Sequence, residues 1–146
     1  MNKLLILLLV VSFSAFGQRT KVDIPEEVEQ AFVEKYGSIQ VSKWRYRKYE
    51  DHYVAEFKYS KDKHRAYYKP DGEWFRTEKL LRRSKLPKDV WFSFQRTDYF
   101  RWEVYEFLEC YTPTDFFYVL VLQEPGYQNI YLQFLPDGTE VRDKYK

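Results

Sequence analysis

Residues 24–37 read IPEEVEQAFVEKYG, and residues 53–59 read YVAEFKY. In the first stretch the apolar residues recur at helical spacing, Pro25 stands where a first helical turn tolerates proline, and Gly37 follows as a stop signal. In the second stretch, aromatic and small residues alternate with mostly polar ones, which is typical of a strand with one buried face. These patterns predict an amphipathic helix of about three turns, followed by antiparallel strands.

The same order of signals occurs a second time. The matching positions are Leu86 and Ile24, Pro87 and Pro25, Trp102 and Trp44, and the Pro-Asp-Gly turns at 136–138 and 70–72. Self-similarity along a chain indicates repeated structural units. We therefore predict an α+β fold, made of a tandem repeat of a helix followed by an antiparallel β-meander, with the helices packed on one face of the sheet. The two repeats cover about residues 22–85 and 86–146.

The first residues have the pattern of a secretory signal peptide. Lys3 supplies a positive charge, residues 4–11 form an apolar run, and small residues precede Gln18. The apolar run is much shorter than the ~20 residues that a membrane-spanning helix needs. We therefore expect a signal peptide at residues 1–17, a mature domain at residues 18–146, a periplasmic or secreted location, and no membrane span.

These motifs together resemble a known family. A hydrophobic-Pro helix start, a tryptophan that opens the first strand, an aromatic-rich second strand and an Asp-Gly turn, each present twice behind a signal peptide, are similar to the PepSY-like family of exported bacterial proteins. That family is described as similar to the β-lactamase-inhibitor protein fold. The resemblance covers essentially the whole mature chain. It implies a helix-packed antiparallel sheet in tandem and a role in binding or inhibiting other proteins, and it supplies no catalytic residues. Gly37 departs from the pattern, because a proline is common there.

The sequence is poor in groups for catalysis or metal binding. It has two histidines, His52 and His64, and one cysteine, Cys110. A catalytic triad needs a histidine between a nucleophile and a carboxylate, and a zinc site needs three or four ligands. Both histidines stand beside charged residues at strand ends, where we expect surface positions. We predict no enzyme, no catalytic residue, no metal site and no cofactor, and we expect Cys110 to be buried and inert.

Charge is unevenly distributed along a chain with 24 basic and 22 acidic residues. Basic residues concentrate in residues 43–101, and acidic residues concentrate in residues 102–146. This asymmetry can steer an acidic partner to the first half or align two copies head to tail, and it also fits ordinary solvated strand faces. Basic and aromatic residues between Trp44 and Arg83 have the composition of a single-strand nucleic-acid platform. The signal peptide argues against that use, and we predict no nucleic-acid partner.

Aromatic residues are the best candidates for a binding surface. Tyrosine and tryptophan bury a large area with few rotatable bonds, and the sequence holds 14 tyrosines and 4 tryptophans. The candidate binding residues, chosen because they fall outside the clean alternation of the strands, are Trp91, Phe92, Tyr99, Phe100 and Tyr127. We predict an exported, non-catalytic binding module that recognises, and can inhibit, a protein or peptide outside the cytoplasm through an aromatic-rich sheet and helix surface.

Two alternatives stay open. A small-ligand carrier or an enzyme would use a cleft between the repeats, which predicts a deep pocket with converging polar groups. A structural subunit would instead close a homodimer with its apolar faces. Residues 116–122 are apolar on both faces of the expected strand, so the second face must be covered by the rest of the chain, by a second copy or by a partner.

Overall fold

The structure is a computed structural model that describes residues 22–142, 144 and 145. The signal peptide predicted at residues 1–17 lies outside the described residues. The helices and strands are, in chain order, α1 (Glu26–Tyr36), β1 (Val41–Arg47), β2 (His52–Tyr59), β3 (Asp62–Tyr68), β4 (Trp74–Leu81), α2 (Lys88–Phe94), β5 (Glu103–Tyr111), β6 (Phe116–Gln123), β7 (Ile130–Phe134) and β8 (Glu140–Val141). A short 3-10 turn precedes α2. Within the described part of the chain, no helix is both long and apolar enough to cross a membrane.

The predicted tandem repeat of a helix followed by a meander, with the helices packed on one face, is wrong. The chain is mostly a single antiparallel sheet of eight strands in the order β1 to β8, with two short helices of 11 and 7 residues. The reason lies where the two halves meet, because β4 pairs with β5 from Thr77 opposite Tyr111 to Leu81 opposite Phe107. An unpaired strand edge leaves backbone groups without partners, so this pairing removes two edges and merges the halves.

Helix α1 forms where the spacing predicts it. Glu26, Glu27 and Glu29 place negative charge in its first turn, near the positive end of the helix dipole. The helix ends at Gly37, which has a φ of 72° and donates its N–H to the carbonyl oxygen of Val33. That positive φ is one that glycine adopts without strain. The stop signal read from the sequence is therefore confirmed.

Two apolar clusters join the helices to the strands. One cluster holds Val28 and Phe32 of α1 with Ala55, Phe57, Ala66 and Tyr68. The other holds Leu86, Val90, Phe94, Tyr118, Leu120, Leu122, Leu132 and Phe134. Complete burial of one large apolar side chain stabilises a fold by about 1.5–3 kcal/mol. Each cluster therefore buries apolar side chains of one helix together with those of neighbouring strands.

A third cluster fills the second apolar side of β5 and β6. Its buried members are Leu108, Cys110, Phe117, Val119 and Val121, and the side chains packed against them are Leu80, Leu135 and Tyr145. The second apolar face expected from the sequence is thus covered within one chain, and the reason it gave for a homodimer no longer applies. The expected burial of Cys110 is confirmed. Burial also raises the pKa of its thiol, which suits an inert role.

Candidate binding surfaces

The five residues selected from the sequence lie on α2, on the turn after it and on the loop between β6 and β7. We refer to Trp91, Phe92, Tyr99, Phe100 and Tyr127 together as the α2 aromatic surface. Phe92 is 61% exposed, Phe100 is 50% exposed and Tyr127 is 70% exposed. Trp91 and Tyr99 are half-buried and pack against the core beneath α2. The surface therefore combines three exposed aromatic side chains with two that pack against the core.

Trp102 connects two parts of this surface. Its ring centroid lies 5.4 Å from that of Tyr99 and 5.5 Å from that of Tyr127. These spacings are typical of favourable aromatic pairs. Trp102 thus holds the β6–β7 loop beside the turn that follows α2. The sequence pattern had identified Trp102 only as the opening of a strand, and its role as a connector was missed.

Arginine side chains lie over the aromatic rings of the same surface. The guanidinium of Arg83 is 4.3 Å from the ring centroid of Trp91, and that of Arg96 is 5.6 Å from the ring centroid of Phe92. Arg101 stands in a similar position, 5.3 Å from the ring of Phe100. Cations at such distances are attracted to the face of an aromatic ring. Arginine and aromatic residues are the types that most often dominate binding energy at interfaces.

A second candidate surface lies on one side of the sheet. It is defined by four residues that face one another on successive strands from β2 to β5, namely Glu56, Arg65, Glu78 and Cys110. We refer to it as the Glu78 face. Glu78 is fully buried. Its carboxylate accepts hydrogen bonds from the hydroxyls of Tyr67 at 2.8 Å and Tyr145 at 2.6 Å. A buried charge is tolerated only when it is well partnered.

Two arginines neutralise Glu78. Arg65 Nε lies 2.7 Å from one carboxylate oxygen, and Arg76 Nε lies 3.2 Å from the other. Arg65 also forms an ion pair of 2.6 Å with Glu106. Burial alone would lower the pKa of Arg65, but its hydrogen bond to Glu106 and the charge of Glu78 raise that pKa overall. Burial and the charge of Glu78 likewise raise the pKa of Tyr67. The raised pKa values keep Arg65 charged and Tyr67 protonated, which suits a structural role rather than proton transfer.

A hollow of about 580 Å³ lies beside the end of α1, between Tyr36, Trp74 and Tyr111. Some of its polar groups bind one another, because the hydroxyl of Tyr36 and the indole N–H of Trp74 both meet the hydroxyl of Thr77. Lys79 Nζ lies 3.4 Å from a carboxylate oxygen of Asp62 and also of Glu109. A catalytic or ligand-binding cleft requires polar groups that converge on its own space. This arrangement therefore does not favour the enzyme or carrier alternative.

The two histidines are more buried than the sequence analysis predicted. His64 was expected at the surface, but it is only 9% exposed, and its ring stacks on that of Phe57 with centroids 5.5 Å apart. His52 is half-buried and lies beside Tyr67 and Phe75. Burial lowers the pKa of both histidines. In residues 22–142, 144 and 145, no group of three or more His, Cys, Asp or Glu side chains could hold a metal ion.

Comparison with known proteins shows similarity at the level of the fold. No protein-family model matches the chain, and no curated protein matches its sequence. A BLIP-like protein from Bacteroides fragilis has 19% identity and a TM-score of 0.66 over 84% of this chain and 86% of its own. A DUF2874 family protein from Bacteroides uniformis has 18% identity and a TM-score of 0.69 over 82% and 88%. A "putative periplasmic" protein from Bacteroides eggerthii has 21% identity and a TM-score of 0.68 over 83% and 88%.

These similarities support one part of the predicted family resemblance. At identities near one fifth they show that the chain has a BLIP-like fold. They do not support membership of the PepSY-like family in particular.

Proposed function

We propose that this chain is an exported, non-catalytic binding module that recognises a protein or peptide outside the cytoplasm. The observation that carries the proposal is the exposure of Phe92, Phe100 and Tyr127 on and near α2, while the second apolar side of β5 and β6 is covered within the chain. The BLIP-like fold of the Bacteroides fragilis protein is consistent with a binding role. The mature chain begins near residue 18, and its location is periplasmic or secreted, in keeping with the description of the Bacteroides eggerthii protein.

The α2 aromatic surface provides both affinity and selectivity in this proposal. A partner that covers Phe92 and Phe100 removes two large exposed apolar side chains from water, which contributes on the order of 1–2 kcal/mol for each. Arg96 and Arg101 lie against these rings and can pair with acidic groups at the rim of the contact. The preferred partner therefore presents apolar side chains surrounded by carboxylates. Inhibition of an enzyme would be one result of covering such a surface.

The test is affinity capture from an extract of the protein's own cell envelope with immobilised mature chain, residues 18–146. The variant Phe92→Ala/Phe100→Ala removes two exposed rings without opening the core. The matched control Tyr59→Ala/Tyr105→Ala also removes two exposed rings, which are 50% and 65% exposed, but these residues belong to β2 and β5 and not to the α2 aromatic surface.

We expect a partner that the wild type and the control retain and that the α2 variant loses. Equal capture by the α2 variant would exclude the α2 aromatic surface as the binding site. If no partner is captured and light scattering shows a dimer, the surface serves self-association, and the homodimer alternative replaces the proposal.

A further inference from the structure

The first strand of the sheet has an unpaired edge. Within residues 22–142, 144 and 145, β1 pairs on one side only, with β2, and it lies at the end of the strand order. The backbone N–H and C=O groups on the outer side of such a strand are available to another chain. A groove of about 1170 Å³ follows this edge, and its walls are residues 22–24, Glu29 of α1 and the whole of β1. A groove of this kind has the backbone groups with which extended peptides pair as an additional strand.

The two faces of β1 carry different chemistry. Successive side chains of a strand point to opposite faces. Lys43, Arg45 and Arg47 lie on the Glu78 face, opposite residues 56, 54 and 52 of β2, whereas Trp44 and Tyr46 lie on the other face. Arg45 pairs with Glu56 at 2.7 Å, while the side chains of Lys43 and Arg47 are exposed. One face of the edge is therefore basic, and the other is aromatic.

The regular part of the edge is short. A β-bulge interrupts the register between Val41 and Lys43, and the hydroxyl of Ser42 donates to the carbonyl oxygen of Glu56 at 2.7 Å. Regular pairing is thus restricted to residues 43–47. A segment that adds to this edge needs about five to seven extended residues.

We propose that the β1 edge binds an extended segment of another protein in which acidic and apolar residues alternate. In this arrangement the acidic side chains lie beside Lys43 and Arg47, and the apolar side chains lie beside Trp44 and Tyr46. This site contains no residue of the α2 aromatic surface, so the outcome of one test does not decide the other.

Charge and length exclude a second copy of the chain as the occupant. If β1 paired with β1 of another copy, the two rows of basic residues would lie side by side and repel each other. The opposite edge of the sheet is β8, which has only two residues, Glu140 and Val141. A two-residue strand is too short to pair with five. An acidic segment from a different protein provides partners both for the outer backbone N–H and C=O groups of β1 and for its basic side chains.

The test uses the mature chain and a labelled peptide in which glutamate and valine alternate over about seven residues, with binding followed by fluorescence anisotropy. We expect the peptide to bind the wild-type chain, and its affinity to fall about tenfold for Lys43→Glu/Arg47→Glu. The affinity for the wild-type chain should also fall in about 0.5 M salt, because salt screens the attraction between opposite charges. The matched charge-reversal control, Arg82→Glu/Lys85→Glu, alters two exposed side chains away from β1 and should bind as the wild type does. Failure of the acidic peptide to bind, or equal binding of a lysine-valine peptide, would overturn the proposal.

A second pair of peptides tests the backbone contact itself. In an added strand, the N–H groups of alternate residues face the partner strand, and those of the others face away. Peptides N-methylated on the glutamates alone or on the valines alone should therefore differ, one losing affinity and the other retaining it. Equal effects of the two methylation patterns would show that side chains, and not strand addition, hold the peptide. If only a chain shortened to start at Val22 binds, the protein's own preceding residues occupy the edge, and the proposal is wrong.

Discussion

At the scale of single residues, two glycines show how tightly the turns approach the helices. Gly72 and Gly138 belong to the two Pro-Asp-Gly turns and have φ values of 85° and 83°. A Cβ atom at Gly72 would lie 2.6 Å from the carbonyl oxygen of Glu27, and one at Gly138 would lie 2.6 Å from that of Asp89. Glycine is needed at both positions because of its backbone conformation and also because a helix backbone touches it. The glycine of each turn motif is thus required by a tertiary contact with a helix.

Alanine substitution of these glycines is expected to destabilise the fold. Gly72→Ala and Gly138→Ala should each lower the free energy of unfolding by about 1–3 kcal/mol beyond the cost of the positive φ alone, because the new methyl group overlaps the helix. Gly126→Ala is the matched control, since Gly126 has a φ of 86° but no atom within 4 Å of the added Cβ. Urea denaturation measures the free energy of unfolding of all three variants. Equal losses at Gly72 and Gly126 would show that the close approach has no energetic consequence.

Single residues also mark the limits of prediction for the candidate site. The exposure of Phe92, Phe100 and Tyr127 could be anticipated, because they fall outside the alternation of the strands, and their role in binding stays a prediction. The half-burial of Trp91 and the burial of His64 could not be anticipated. Trp91 lies 5.3 Å from Phe94 and 6.3 Å from Phe107, measured between ring centroids, and the second of these contacts crosses from α2 to β5. Contacts between distant residues leave no local pattern in a sequence.

At the scale of helices and strands, local signals were sufficient for α1 and β2 but not for the way the two halves join. Helix α1 begins after Pro25 and ends at Gly37, and the alternating stretch 53–59 lies within β2. The pairing of β4 with β5 depends on residues about 30 positions apart, such as Thr77 and Tyr111. A repeated sequence pattern suggests separate units, and it contains no information about whether their edges join.

Glu78 links several of these elements, and its removal is expected to weaken them together. It connects β3 through Arg65 and Tyr67, β4 through Arg76, and the segment after β8 through Tyr145. Glu78→Gln leaves buried arginine charge poorly compensated and should lower the free energy of unfolding by about 3 kcal/mol.

The matched control is Glu56→Gln on the same face. The side chains of Glu56 and its partner Arg45 are 28% and 42% exposed, so the loss should stay below about 1 kcal/mol. Guanidinium unfolding at neutral pH compares the two variants. If Glu78→Gln costs no more than Glu56→Gln, the network does not hold the strands together.

At the scale of the whole molecule, one sheet with cores on both sides should unfold as a single unit, since β4 and β5 connect the halves. Its stability should depend on pH through the two histidines, whose pKa values burial lowers. The groups that face His64 are Asp62, Lys79 and Glu109, and those that face His52 are Glu50, Arg47 and Arg76.

The direction of this pH dependence follows from proton binding. Below about pH 6.5 the unfolded chain takes up protons that the folded histidines resist, so stability present at higher pH is lost as the pH falls. The loss should be at most about 1.4 kcal/mol per pH unit for each histidine. Unfolding free energies measured between pH 8 and pH 5 should fall less steeply for His64→Gln than for the wild type. Parallel curves would mean that His64 is protonated equally in both states.

The position of Tyr145 also affects the order in which the fold can close. Its hydroxyl completes the partners of Glu78, its ring stacks on Tyr131, and its N–H donates to the side chain of Gln133. Tyr145 follows all eight strands along the chain, and a polypeptide leaves the ribosome amino end first. The strands therefore emerge before the segment that seals the third cluster and the Glu78 network. A chain whose Tyr145 has not yet emerged lacks these contacts, so folding is completed only after that residue is free to pack.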